Sequence, residues 1–96
     1  MSNILENSIY ILSEEVNASN IEMIKQELLI FIEKNNIVTL DGSIVEVIDG
    51  LGLQLLLSAH KLCFTKSKPF SLIGASNKLR TVLELTGFLD LLEEEY

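Results

Sequence analysis

Ile44-Val45-Glu46-Val47-Ile48-Asp49-Gly50-Leu51-Gly52-Leu53 is the stretch on which the reading of this chain turns. Branched apolar residues dominate up to Ile48, as a strand packed on a core needs. Asp49 and a Gly-Leu-Gly turn follow, then a leucine-rich run without charge as far as His60. An aspartate just ahead of a helical run suits the N-cap, where its carboxylate accepts from the first orphan amides. Glycine at 50 and 52 permits tight backbone geometry and the close approach of another chain.

The remaining elements fall on either side. Ser8 to Leu12 reads as a short strand, with Ile9 and Ile11 on one face and Tyr10 and Leu12 on the other, and Glu14-Glu15 interrupt it. Ser19-Asn20-Ile21-Glu22 fits a capping box, with Ser19 as the N-cap. The helix it opens carries Ile21, Ile24, Leu28 and Phe31 or Ile32 at helical spacing, and Asn35-Asn36 stop it. Ile37 to Leu40 is a charge-free strand fit for a sheet centre. Asp41-Gly42-Ser43 turns the chain, and Ile44 to Ile48 return it to extended structure. A second helix is expected from about Leu51 to Cys63, with Leu53, Leu56, Leu57 and His60 on one face. Phe64 to Pro69 is a basic loop, Phe70 to Ile73 a strand, and Ser76 caps a helix that Gly87 closes. Phe88, Leu89, Leu91 and Leu92 suggest a last helical turn. Strands alternating with helices predict an α/β fold: a small mixed sheet of about four strands with helices packed on it, one domain over residues 1–96.

Composition supports that reading and narrows the function. Apolar residues make up 48% of the 96, enough for a core and too many for a disordered chain. Fourteen acidic against seven basic residues give a net charge of −7, a poor match for nucleic acid, which needs a clustered basic surface. Lys61, Lys66, Lys68, Lys78 and Arg80 do fall in a stretch without Asp or Glu. Two readings apply: a solvated rim, or a docking surface for an acidic partner or lipid headgroups. The charge-free run around the second helix is about half a bilayer span, so no membrane insertion is expected and the chain reads as cytoplasmic. Cys63 has no second cysteine to bridge, and core packing is its expected role.

No side-chain constellation suggests catalysis, a metal or a cofactor. His60 has no ligand partner at metal spacing and reads as a partly buried helix residue. Gly50-Leu51-Gly52 lacks the third glycine of a dinucleotide loop and the Gly-Lys-Ser/Thr of a phosphate loop. Asp41 and Asp49 lie at strand ends, where carboxylates commonly cap helices or close turns.

Two blocks resemble the STAS family of anti-sigma-factor antagonists. Leu40-Asp41, Ile48-Asp49, Gly52 and Leu53 follow, without a gap, that family's Leu-Asp, loop, apolar, Ile-Asp-Ser-Ser-Gly-Leu pattern. Ile73-Gly74-Ala75-Ser76, then Leu79 to Phe88 ending in Leu-Thr-Gly-Phe, are similar to its closing helix. The resemblance implies a non-enzymatic domain that docks the strand-end turn and the following helix onto a protein partner. It assigns partner binding to Asp49, Gly50, Leu51 and Gly52.

In the family the first serine of the turn is phosphorylated, which adds roughly −1.5 to −2 charge and ejects the partner. Gly50 stands at that position and Leu51 at the second serine, so neither offers a hydroxyl. Ser43 and Ser58 are the nearest alternatives; one precedes the strand and the other lies inside the helix. Leu51 is then either an apolar knob at the turn or an ordinary core leucine. The resemblance points to an anti-sigma-factor kinase-like or other signalling protein as partner. The alternative is a STAS subunit of a bacterial phospholipid ABC transporter bound to its ATPase. A homodimer fits either reading.

Overall fold

A computed structural model describes residues 8–91. The elements run β1 (Tyr10–Ile11), β2 (Glu15–Val16), α1 (Ile21–Lys34), β3 (Val38–Asp41), β4 (Val47–Ile48), α2 (Gly50–Thr65), β5 (Phe70–Ile73) and α3 (Asn77–Thr86). A 3-10 turn follows at Leu89–Leu91, within the stretch expected to be helical, while Leu92 lies outside the described residues. The strands form two groups, β1-β3-β5 and β2-β4, and every pairing among the described residues is parallel. Parallel neighbours need crossovers, and α1, α2 and the stretch leading to each supply them.

The α/β expectation is met, but β1 and β4 are shorter than the sequence suggests, and among the described residues the strands pair in two parallel groups rather than one mixed sheet. Val38 and Leu40 are fully buried in β3, which lies between β1 and β5 as the central strand. Phe70–Ile73 and Asn77–Thr86 fall where the sequence puts them. The N–H of Leu79 donates to Ser76 Oγ at 3.1 Å. Gly87 closes α3 in the left-handed region at φ 84°, and the N–H of Phe88 donates to the Leu83 carbonyl at 2.8 Å.

Three local readings change. Ile44 and Val45 do not extend β4: the N–H of Val45 donates to the Gly42 carbonyl across a turn, and pairing starts at Val47. Glu14 stands in a bend after β1, as the broken apolar pattern suggests, but a second strand starts at once: Val16 turns fully into the core and Glu15 outward, and this strand pairs with β4. No capping box forms. Asn20 is the N-cap without a side-chain cap bond; its Nδ2 donates to the Glu15 carbonyl and its Oδ1 accepts from the Asn17 N–H. Ser19 Oγ donates instead to Asn17 Oδ1 at 2.7 Å. The polar side chains of residues 17–20 shape a loop rather than the first turn of α1.

The core joins the inner faces of α1 (Ile24, Leu28, Ile32), α2 (Leu53, Leu56, Ala59, Cys63) and α3 (Leu79, Leu83) to the strands. At the other end of α1, Asn35 caps the helix with Nδ2 on the Phe31 carbonyl at 2.9 Å. Lys68 Nζ donates to the Ile32 and Glu33 carbonyls there, satisfying orphan acceptors at the negative end of the helix dipole. No helix among the described residues is long and apolar enough to cross a membrane.

Candidate functional site

Asp49 leaves β4 in an extended conformation, and its carboxylate divides between two elements. Oδ1 accepts from the Gly52 N–H at 2.9 Å, capping α2. Oδ2 accepts from the Ala18 N–H at 3.0 Å, tying the turn to the loop before α1. The Gly52 amide, seconded by that of Ala18, holds the Asp49 carboxyl below its ordinary pKa. With both oxygens engaged by backbone N–H groups, Asp49 fixes the shape of the turn.

The two glycines that flank Leu51 differ. A Cβ on Gly52 would stand 2.1 Å from the Val16 carbonyl oxygen, so α2 can enter beside β2 only with glycine there. A Cβ on Gly50 would meet nothing within 4 Å. Gly50 is exposed at the first position of α2, and its φ is not positive, so any L-residue fits the backbone. Leu51 is 48% exposed, which resolves its two readings in favour of a surface knob. Val47 and Ile44, 43% and 49% exposed, lie just upstream.

Other sequence-selected residues fall elsewhere. The Ser43 N–H donates to Asp41 Oδ1 in the turn after β3, and exposed Ser58 borders a groove of about 90 Å³ between α1 and α2. Eight residues of helix separate Ser58 from Gly50, a rise of roughly 12 Å. A larger hollow, about 330 Å³, is lined by Ser8, Tyr10, Glu27, Ile30, Phe31, Lys34 and Asn35; neither cavity includes the turn. In the larger one Tyr10 donates to Glu27 at 2.5 Å; burial first, then this carboxylate, pushes the phenol's pKa up.

His60 is exposed, not partly buried, with its ring edge-on to Phe70 at 5.1 Å. Ala59 and Cys63 take the inward positions, which turns His60 off the core face. Cys63 is fully buried, and that burial raises its thiol pKa. Among the described residues no three His, Cys, Asp or Glu side chains are grouped as metal ligands would be.

The basic stretch is spread over several elements, with Lys61 exposed on α2. Lys66 pairs with Glu33 at 3.9 Å and Lys68 caps α1, both at the helix C-termini, whereas Lys78 and Arg80 belong to α3. What sequence reasoning missed at the turn is backbone: the Ala18 N–H and Val16 carbonyl, which no side-chain pattern records.

A parallel α/β fold with an Asp-capped helix after a short strand defines the class, and the comparisons supply the family. The STAS domain model matches residues 2–95, and the chain belongs to that family. A sulfate transporter family protein from Wolinella succinogenes is similar at TM-score 0.74 and 26% identity, over 92% of this chain and 72% of that one. The anti-sigma factor antagonist SpoIIAA in its unphosphorylated form superposes at TM-score 0.77 and 16% identity, over 100% and 84%. A candidate anti-sigma factor antagonist from Thermotoga maritima gives 0.75 and 24%, over 91% and 78%. At those two identities the likeness speaks for the fold. No curated protein sequence matches the chain.

Proposed function

We propose that this chain is a non-enzymatic, cytoplasmic, bacterial regulatory module that binds a kinase-like or other signalling protein through residues 49–52 and the start of α2. The observation that carries the reading is the exposed Leu51, held beside an open Gly50 by a turn whose cap and glycine packing fix its shape. An apolar residue fixed in water on rigid backbone loses little entropy on binding, which favours recognition. Residues 50–52 carry no hydroxyl, so binding here proceeds without phosphorylation of the turn and is controlled by the supply or state of the partner. Residues 1–96 act as one domain in this reading.

A second reading is a subunit of a transport assembly docked on an ABC ATPase; the 26% identity to a sulfate transporter family protein supports the link to transport and is silent on the ATPase. Affinity capture from the native host, with bound proteins identified by mass spectrometry, separates the two. Recovery of a histidine-kinase-like ATPase or another signalling protein supports the first; an ABC ATPase with its permease replaces it with the second.

A further inference from the structure

The segments around the turn carry only one sign of charge. Residues 8–24 and 35–60 contain no lysine or arginine. Glu15 stands opposite Val47 in the β2–β4 register, and the Glu46 N–H donates to the Glu14 carbonyl at 2.8 Å, which brings Glu14, Glu15 and Glu46 together. All three are exposed, and among the described residues none of them holds an ion pair. Lys66 and Lys68 serve the C-terminal end of α1, while Lys78 and Arg80 lie on α3, whose start meets the approach to β4 through Ser76 Oγ on the Val45 carbonyl. The exposed apolar residues Ile44, Val47 and Leu51 therefore lie in chain segments whose formal charges are all negative, and the three carboxylates there hold no ion pair among the described residues.

Resting on the reading of this turn as a docking surface, we infer that its partner is a protein presenting an apolar hollow rimmed by lysine or arginine. Leu51 and Val47 supply the desolvated centre of the contact, where binding energy concentrates. Glu14, Glu15 and Glu46 supply a rim that steers encounter, fixes register and rejects acidic surfaces. Anionic lipid headgroups and nucleic acid are repelled from this end, so the acidic partner that the lysine-rich stretch suggested does not dock here.

The test is affinity capture from native-host lysate with three baits: the wild type, Leu51→Asp, and the double variant Glu15→Lys/Glu46→Lys. Circular dichroism verifies that each bait is folded, and Glu15→Gln/Glu46→Gln replaces the reversal if it is not. A protein lost with Leu51→Asp is identified by mass spectrometry, purified and titrated. The inference predicts roughly tenfold weaker binding to the double variant, and a similar loss between about 50 and about 500 mM NaCl. It also predicts recovery when a lysine or arginine at the partner's rim is changed to glutamate. Equal affinity for the wild type and the double variant overturns the inference and leaves the turn as an interface. If the Leu51-dependent protein is a second copy of this chain, the separate basic partner is refuted. If nothing captured depends on Leu51, the docking reading itself fails, and the inference with it.

Discussion

A methyl group added at Gly52 meets backbone, and backbone cannot swing aside as a side chain can. Gly52→Ala is expected to cost about 3 kcal/mol, at the upper end for overpacking, because α2 must lift from β2 to admit it. Gly50→Ala should be neutral or stabilising by up to about 0.5 kcal/mol, since alanine is the better helix former and the space is open. Urea denaturation of both variants tests the contrast. Asp49→Ala removes the α2 cap and the tie to Ala18, so it should lower the urea midpoint at neutral pH. The Asp49 pKa is depressed in the fold, so its contribution is present above the ordinary aspartate value of about 3.9 and disappears as pH falls through the lower folded value. The difference between wild type and Asp49→Ala should accordingly shrink below that pH in acid titrations followed by circular dichroism.

Helix ends show how far local sequence reaches. Ser76 and Gly87 bound α3 as read because both act within their own turn, through the Leu79 N–H and a left-handed backbone. The α1 N-terminus defied its capping-box pattern because Asn17, Ser19 and Asn20 bond to the loop, whose Ala18 N–H is held by Asp49, distant in sequence. Short strands were least legible: Glu15–Val16 has no alternation of its own and exists by pairing with Val47–Ile48. The turn's residues were readable from the Asp-Gly-Leu-Gly string, whereas the difference between Gly50 and Gly52 needs the position of Val16. Lys68 lies in the basic loop as read, and from there it also caps α1. Lys68→Met should therefore cost about 1 kcal/mol in chemical denaturation, while Lys61→Met, at an exposed helical position, should stay within about 0.5 kcal/mol of wild type.

At the scale of the whole molecule, a buried core supports two surfaces of different electrical character. The carboxylates of β2 and β4 flank the turn, and lysines gather at the C-termini of α1 and α2. Helix dipoles favour that placement, so Lys34, Lys66 and Lys68 are explained by folding, whereas Lys78 and Arg80 stand on α3. The account rests on the turn acting as an interface whose shape does not depend on residue 50. The most direct measurement is the dissociation constant of the purified, mass-spectrometry-identified partner for wild type, Gly50→Ala and Gly50→Asp, each shown to be folded. Aspartate at the first position of α2 suits the helix dipole and meets no neighbour, so it changes charge at the surface without disturbing the fold. The account predicts that Gly50→Ala binds within about threefold of wild type, whereas Gly50→Asp buries an unpaired carboxylate in the apolar centre beside Leu51, away from the basic rim, and binds at least about tenfold more weakly. Equal affinity for all three would contradict it and move the interface away from residues 49–52.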